Sequence, residues 1–192
     1  MLSPEQGDKL RLFVVDERLV PLDDPESNTG VFLRDLPAIF EERFVLLKDP
    51  TNASASREEF VGIFKSWNPP LSSDGFPIFD VLFLGMGPDG HTCSLFPGHS
   101  LLQENKEWVA IIEDSPKPPP RRVTITLPVI NNAKNVAFIA TGESKAQILK
   151  EIIDEKTEKY PSGLVKPKSG SLYWFLDISS ARLLKDHTKS EL

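Results

Sequence analysis

The chain has a single cysteine, Cys93, so no internal disulfide can form, and a reducing compartment is the setting this fits. Long apolar runs are missing as well. No stretch approaches the about 18 consecutive apolar residues of a membrane span, and residues 1–9 lack the apolar centre of a secretory leader. The expectation is a soluble, cytoplasmic protein that does not engage a membrane. Nor is there an excess of positive charge. The 28 acidic and 22 basic residues give a net charge of -6, so nucleic acid is not an expected partner. A local group of arginines and lysines can still oppose that field and hold an anionic small molecule.

Several chemical patterns are also absent. His91, His99 and His187 show no H-E-x-x-H spacing, and one cysteine makes no thiolate cluster, so no metal is expected. No G-x-S-x-G nucleophile elbow occurs. Gly85-Met86-Gly87-Pro88-Asp89-Gly90 is superficially like a dinucleotide-binding turn. It lacks a clear helix start and a ribose-binding acid at the expected distance, so no organic cofactor is expected either. There is no internal repeat, heptad or low-complexity tract.

What remains is one sizeable domain's worth of chain: 192 residues, 40% of them apolar. Its organising stretch is the apolar run Val81-Leu82-Phe83-Leu84, followed by Gly85, Gly87 and Gly90 and then by His91. The run is too short for a globular helix and reads as a central strand buried on both faces. The glycines let the backbone turn sharply and approach a bound group. A histidine at the carboxyl end of such a strand sits where open α/β sheets place their chemistry.

Elsewhere, residues 10–15 predict a strand centred on Phe13, Val14 and Val15, with Asp16-Glu17-Arg18 behind it. A helix is expected from Pro25-Glu26-Ser27-Asn28 to about Leu36, and a short strand over 40–47. Ser54 or Ser56 is placed to cap a helix with Phe60, Ile63, Phe64 and Trp67 inward, ended by Asn68-Pro69-Pro70. Further strands are expected over 108–112, 123–127, 136–141 and 172–176, the second half-covered because Val123, Ile125 and Leu127 alternate with Thr124 and Thr126. Helical segments start at Pro128, behind Gly142 and at Ile178, with Ala146, Leu149, Ile152 and Ile153 inward in the second. Lys117-Pro118-Pro119-Pro120-Arg121-Arg122 is a stiff basic loop between strands. Strand–helix alternation predicts one layered α/β unit with a largely parallel sheet, occupying 1–192 with a frayed tail over 185–192.

His91 is the leading candidate for proton transfer, since imidazole takes and returns a proton near neutral pH. Asp89 has two readings, as a cap of the turn or as the partner of His91. Arg18 reads as an ion pair with Asp16 or Glu17, or as a guanidinium fork for phosphate or carboxylate. Lys145 lies in the first turn of a helix, where a cation is useful if an anion sits on the amides. Arg18, Arg121 or Arg122, and Lys145 are therefore candidates to converge on one phosphorylated ligand.

These blocks resemble the 6-phosphogluconolactonases over nearly the whole chain. The matching residues are Asp16-Glu17-Arg18 with Val20-Pro21 and Ser27-Asn28; Gly85 to Thr92 with Ser94-Leu95-Phe96-Pro97; Arg122-Val123-Thr124 with Leu127-Pro128; and Gly142 with Lys145. The resemblance implies an α/β three-layer sandwich with a largely parallel, Rossmann-like sheet. It implies hydrolysis of 6-phospho-D-glucono-1,5-lactone to 6-phosphogluconate, in the oxidative pentose phosphate pathway, without organic cofactor or required metal. The roles it implies are His91 and Asp89 in catalysis, and Asp16, Arg18, Gly85, Gly87, Gly90, Arg122 and Lys145 in substrate binding. Within the wider group, glucosamine-6-phosphate deaminase is the alternative, although there a tyrosine follows the acid pair where this chain has Arg18. The family's N-terminal helix, strand and Ser-Gly-Gly turn have no counterpart here, so a chain truncated at the N-terminus is expected. A complete protein is then expected to be a monomer. A truncated one is expected to expose a sheet edge, self-associate through it, or be inactive.

Overall fold

The computed structural model describes residues 9–37 and 52–186. Within them, strands assemble into two three-stranded sheets, one antiparallel and one parallel. The fold is therefore α/β with mixed strand directions rather than one largely parallel sheet. The physical source of the mixture is the loop over 113–121, which returns the chain beside the strand it has just left.

The antiparallel sheet has the order β1-β4-β3, with β1 at Asp16–Arg18, β3 at Val109–Ile112 and β4 at Arg122–Ile125. The charged triplet is itself the strand, not the polar segment behind one. Phe13 and Val15 still pack against the core, and the Ile125 N–H donates to the Val15 carbonyl at 3.0 Å. A charged strand is possible because Glu17, only 1% exposed, is fully served. Its carboxylate accepts from the backbone amides of Arg18 (2.8 Å), Asn28 (2.8 Å) and Thr29 (2.7 Å) and from Ser27 Oγ (3.3 Å). These donors replace the lost water.

Two of those amides belong to helix α1 (Asn28–Asp35), which starts where the sequence placed it. Ser27 caps it by accepting from the Gly30 N–H at 3.0 Å, and Glu17 adds a negative charge at the positive end. Helix α2 (Ala53–Ser66) is capped by Asn52 Oδ1, which accepts from the Ala55 N–H at 3.1 Å; neither Ser54 nor Ser56 takes that role. Ser56 lies inside the helix and is buried. Phe60 and Phe64 face inward, and Phe64 meets Phe60, Phe13 and Phe79 edge-on at 4.9, 5.0 and 5.2 Å. Burial of each such ring contributes about 1.5–3 kcal/mol. Trp67 is the exception, 40% exposed and covered by the Arg11 guanidinium at 4.2 Å. The strand anticipated over 40–47 lies outside the described residues.

Strand β4 is buried on both faces, against the expectation of half cover. Its threonines tolerate this because each hydroxyl is paired: Thr124 Oγ1 donates to the Ile125 carbonyl, and Thr126 Oγ1, just beyond the strand, to that of Glu107 at 2.7 Å. Helix α3 (Leu127–Ile130) follows, with Val129 and Ile130 fully enclosed.

The parallel sheet has the order β2-β5-β6, with β2 at Leu82–Gly85, β5 at Asn135–Ala140 and β6 at Ser171–Leu176. Helix α4 (Ala146–Ile153) buries Ala146, Leu149 and Ile152, and α5 (Ile178–Ala181) is capped by Asp177. Strand β2 does not match the expected central, doubly buried strand. Among the described residues it pairs only with β5, and it alternates: Leu82 and Leu84 are buried while Phe83 is 66% exposed. Phe83, Ile139, Tyr173 and Phe175 all remain exposed on these strands. At the far end, the Lys185 N–H still bonds Asp154 Oδ2 at 2.9 Å; 187–192 lie outside the described residues. One core cluster takes residues from both sheets, including Val123, Ile125, Leu84 and Phe138.

Glu17→Ala leaves several donors without their acceptor. Urea unfolding should show a loss of about 3 kcal/mol, and a loss below about 1 kcal/mol would mean that water replaces the carboxylate.

Candidate active site

The three parallel strands end together, and the candidate site grows from the β2 end. Beyond Gly85 the backbone closes on itself: the Gly87 N–H donates to the His91 carbonyl and the Gly90 N–H to that of Gly87, both at 2.9 Å. Two glycines are required by geometry. A Cβ on Gly87 would lie 2.1 Å from the His91 ring and 2.6 Å from Asp89 Oδ1. Gly90 has φ +79°, and a Cβ there would meet the Tyr160 ring at 2.7 Å. From the opposite side Ser162 clamps the turn, its N–H (3.1 Å) and Oγ (2.8 Å) both donating to the Gly90 carbonyl. Gly85 differs: its Cβ position is open space, so it offers accessible backbone rather than relief from a clash.

This turn sets Asp89 against His91. Nδ1 of His91 lies 2.5 Å from Asp89 Oδ1, and the ring stacks on Phe96 with centroids 4.7 Å apart. The contact fixes the proton on Nδ1 and leaves Nε2 as the acceptor. Among the described residues nothing bonds to Nε2. Burial lowers the His91 pKa, and the Lys117 charge adds to this, while the Asp89 carboxylate and more distant Asp16 oppose it without reversing it. For Asp89, burial pushes upward, but hydrogen bonds from His91 and Lys117 outweigh it, and its carboxyl titrates below the ordinary value. The pair is thus held as carboxylate and neutral imidazole, the form that accepts a proton.

Lys117 has no place in the sequence-based list of site residues, yet its Nζ reaches Asp89 Oδ1 at 3.1 Å and lies 3.3 Å from His91 Nδ1. The only signal for it is the stiffness of the proline loop that carries it. Arg122 sits beneath that loop, 2% exposed. Its Nε donates to the Pro119 carbonyl, Nη2 to the carbonyls of Lys117 and Pro118, and Nη1 contacts Ser94 Oγ at 3.5 Å. Every nitrogen of this guanidinium is engaged, so Arg122 braces the loop instead of presenting a free fork.

Arg18 lies opposite Arg122 in the β1–β4 ladder. Its guanidinium pairs with neither Asp16 nor Glu17; Nη1 donates to the Glu26 carbonyl at 2.8 Å and contacts Glu26 Oε2 at 3.4 Å, while Nε is buried without a partner among the described residues. Asp16 is buried, its Oδ2 accepting from Ser94 Oγ at 2.6 Å. Lys145 starts α4 beyond Gly142, at the same end of the parallel sheet as the histidine turn, and its ammonium has no partner among the described residues. The Gly142 amide is already taken by Asp177, at 3.1 and 3.2 Å. Two hollows of about 320 and 610 Å³ lie elsewhere, one beside α2 at Arg57 and Lys65 and one at His99 and Asp114.

Comparison with known proteins adds an independent line. The family model described as glucosamine-6-phosphate isomerases/6-phosphogluconolactonase matches residues 3–174. The 6-phosphogluconolactonase of Bos taurus is 49% identical over 174 residues, covering 88% of this chain and 66% of the relative. The chain therefore spans slightly less than two thirds of that protein's length. Among solved structures, 6-phosphogluconolactonase from Trypanosoma brucei superposes with a TM-score of 0.78 at 31% identity, over 93% of this chain and 75% of the other. A monomeric glucosamine-6-phosphate deaminase gives 0.67 at 18% identity, over 90% and 74%, a likeness of fold alone.

The depressed values at Asp89 and His91 have one sign. Free histidine titrates near about 6.5 and free aspartate near about 3.9. Between each of these and the lower folded value the unfolded chain carries more protons, so stability falls as pH falls. Urea unfolding should therefore weaken once the pH drops below about 6.5 and again below about 4. His91→Asn should lose the first step and shrink the second, because the His91 hydrogen bond is the largest of the causes that lower Asp89; persistence of the first would assign it to another histidine.

Proposed function

Because this chain belongs to the glucosamine-6-phosphate isomerase/6-phosphogluconolactonase family, we propose that it hydrolyses 6-phospho-D-glucono-1,5-lactone to 6-phospho-D-gluconate. The observation that carries this reading is the Asp89–His91 contact of 2.5 Å, which leaves one imidazole nitrogen ready to accept a proton. His91 Nε2 takes a proton from water as its oxygen attacks the lactone C1. The carbonyl becomes a tetrahedral oxyanion, which needs donors nearby; Gly85, whose Cβ position is open space, is assigned to the close approach of the substrate, and Gly87 and Gly90 to the shape of the turn. Collapse breaks the bond from C1 to the ring oxygen, and the imidazolium returns its proton to that oxygen. Water has then been added across one ester bond, and His91 is neutral again. Asp89 holds the tautomer throughout.

Arg18 and Lys145 are assigned to the phosphate of the substrate, since neither cation has all its donors engaged by the protein. Asp16 and Arg122 act from beneath, Asp16 through Ser94 and Arg122 through the proline loop. A phosphorylated sugar lactone is the partner this arrangement suits, and the lone cysteine supports a reducing, cytoplasmic setting.

The direct test is lactone hydrolysis followed by acid release, with the spontaneous rate subtracted. His91→Asn should lower kcat by about 10²–10⁴-fold with an unchanged circular dichroism spectrum; a variant with undiminished kcat would remove His91 from the reaction. Arg18→Met should act mainly on KM. A parallel incubation with glucosamine 6-phosphate should release no ammonia, and release would favour the deaminase reading.

A further inference from the structure

We propose that Lys117 is a positioning residue of this site: its ammonium holds Asp89 on the Nδ1 side of His91 and disfavours a second proton on the ring. The inference rests on the hydrolytic reading for its purpose, although not for its geometry.

Three groups converge on one spot. Asp89 Oδ1 lies 2.5 Å from His91 Nδ1 and 3.1 Å from Lys117 Nζ, and the two nitrogens are 3.3 Å apart. An ammonium carries only donors, and Nδ1 must carry a proton to bond a carboxylate. Lys117 and His91 therefore both donate to the same carboxylate oxygen and do not bond each other. With a single proton on the ring this is a neutral imidazole beside a salt bridge. A second proton, on Nε2, would place an imidazolium directly against an ammonium. Lys117 thus favours the form with Nε2 unprotonated and an available lone pair.

The other charges facing His91 do not supply this effect. Asp89 and, from β1, Asp16 both favour the imidazolium. Phe96 stacks on the ring, and the Arg122 guanidinium, 5.6 Å from the Phe96 centroid, is bound to loop carbonyls. Among the described residues, Lys117 is the one cation in the pair's immediate contact.

Its delivery is built into the fold. The Lys117 N–H donates to Ser115 Oγ at 3.2 Å, and that hydroxyl donates back to the Lys117 carbonyl at 2.9 Å. The buried Arg122 then fixes the carbonyls of residues 117, 118 and 119. The alternative is an ordinary surface ion pair, for Lys117 and Asp89 are 36% and 35% exposed in their side chains. Such a pair would contribute little to stability and would leave His91 untouched.

The test reads His91 without substrate. In the full chain, the imidazole Cε1–H signals are titrated by NMR, and His91 is assigned by the signal missing from His91→Asn. Lys117→Met, with Lys117→Gln as a second neutral variant, should move the His91 midpoint upward by about 0.5–1 pH unit. Lys117→Arg, which keeps the charge, should stay near wild type. A midpoint that is unchanged or falls in a folded neutral variant overturns the proposal, as does an arginine variant that shifts as far as the methionine one. In the lactone assay, the acidic limb of kcat/KM should move upward by the same amount. Absence of turnover in the wild type would count against the hydrolytic reading, while the NMR midpoint would still decide the role of Lys117.

Discussion

The hydrogen bond from Ser94 Oγ to Asp16 Oδ2, 2.6 Å long and buried, fastens the two sheets together at the site. Ser94 lies beyond the turn that leaves the parallel sheet, whereas Asp16 opens the first strand of the antiparallel one. The same serine uses its backbone N–H to reach Thr124 Oγ1 at 3.2 Å, in the neighbouring strand β4. A carboxylate removed from water needs donors, and among the described residues Asp16 finds Ser94 and, more distantly, Asn28 Nδ2 at 3.4 Å. Strong short bonds of this kind resist displacement. Asp89 and His91 arrive from one side of the junction; Arg18, Lys117 and Arg122 arrive from the other. The distances between the two groups are thus a property of how the sheets meet.

Much of the parallel half was legible in the sequence because its constraints are local. Gly87 and Gly90 are dictated by contacts within the turn and against Tyr160; beside the antiparallel sheet, Ser27 and Pro128 likewise mark helix starts by their own chemistry. The same local reasoning failed at β1. Glu17 in a strand contradicts the simple apolar pattern, and its compensation comes from amides eleven and twelve residues away. A pattern that breaks a local rule at a site, with the balance restored elsewhere, is what functional positions commonly show. Strand β2 misled for a related reason. Four consecutive apolar residues say nothing about which faces are covered, and Phe83 points away from the core that holds Leu82 and Leu84.

Lys117 was illegible for a different reason. It is 28 residues from Asp89 along the chain, in a tract whose prolines and charges look like a solvated connector. Only Arg122 binding three successive carbonyls reveals that the connector is a fixed strut. Similarly, Arg18 beside two acids suggested a local ion pair, but alternation along the strand turns Glu17 to the opposite face, Asp16 is engaged by Ser94, and the partner of Arg18 is Glu26.

On the proposed reading, a chain of net charge -6 holds a phosphorylated ligand by local means, and the cations at this site are not equivalent. Arg122 has every nitrogen engaged by the protein and is nearly sealed from solvent, so it can contribute only its field. Lys117 is tied to Asp89, and moving it to an anion would release the carboxylate that orients His91. Among the described residues, Arg18 retains a buried, unpartnered Nε and donates through Nη1 to an exposed loop, and Lys145 stands unpaired at the start of α4. An incoming phosphate would find the least competition at those two. On that reading the remaining cations serve the opposite purpose: Lys117 through Asp89, and Arg122 through the loop that carries Lys117, fix the proton-transfer pair in place, so that charge for binding and charge for orientation are carried by different residues.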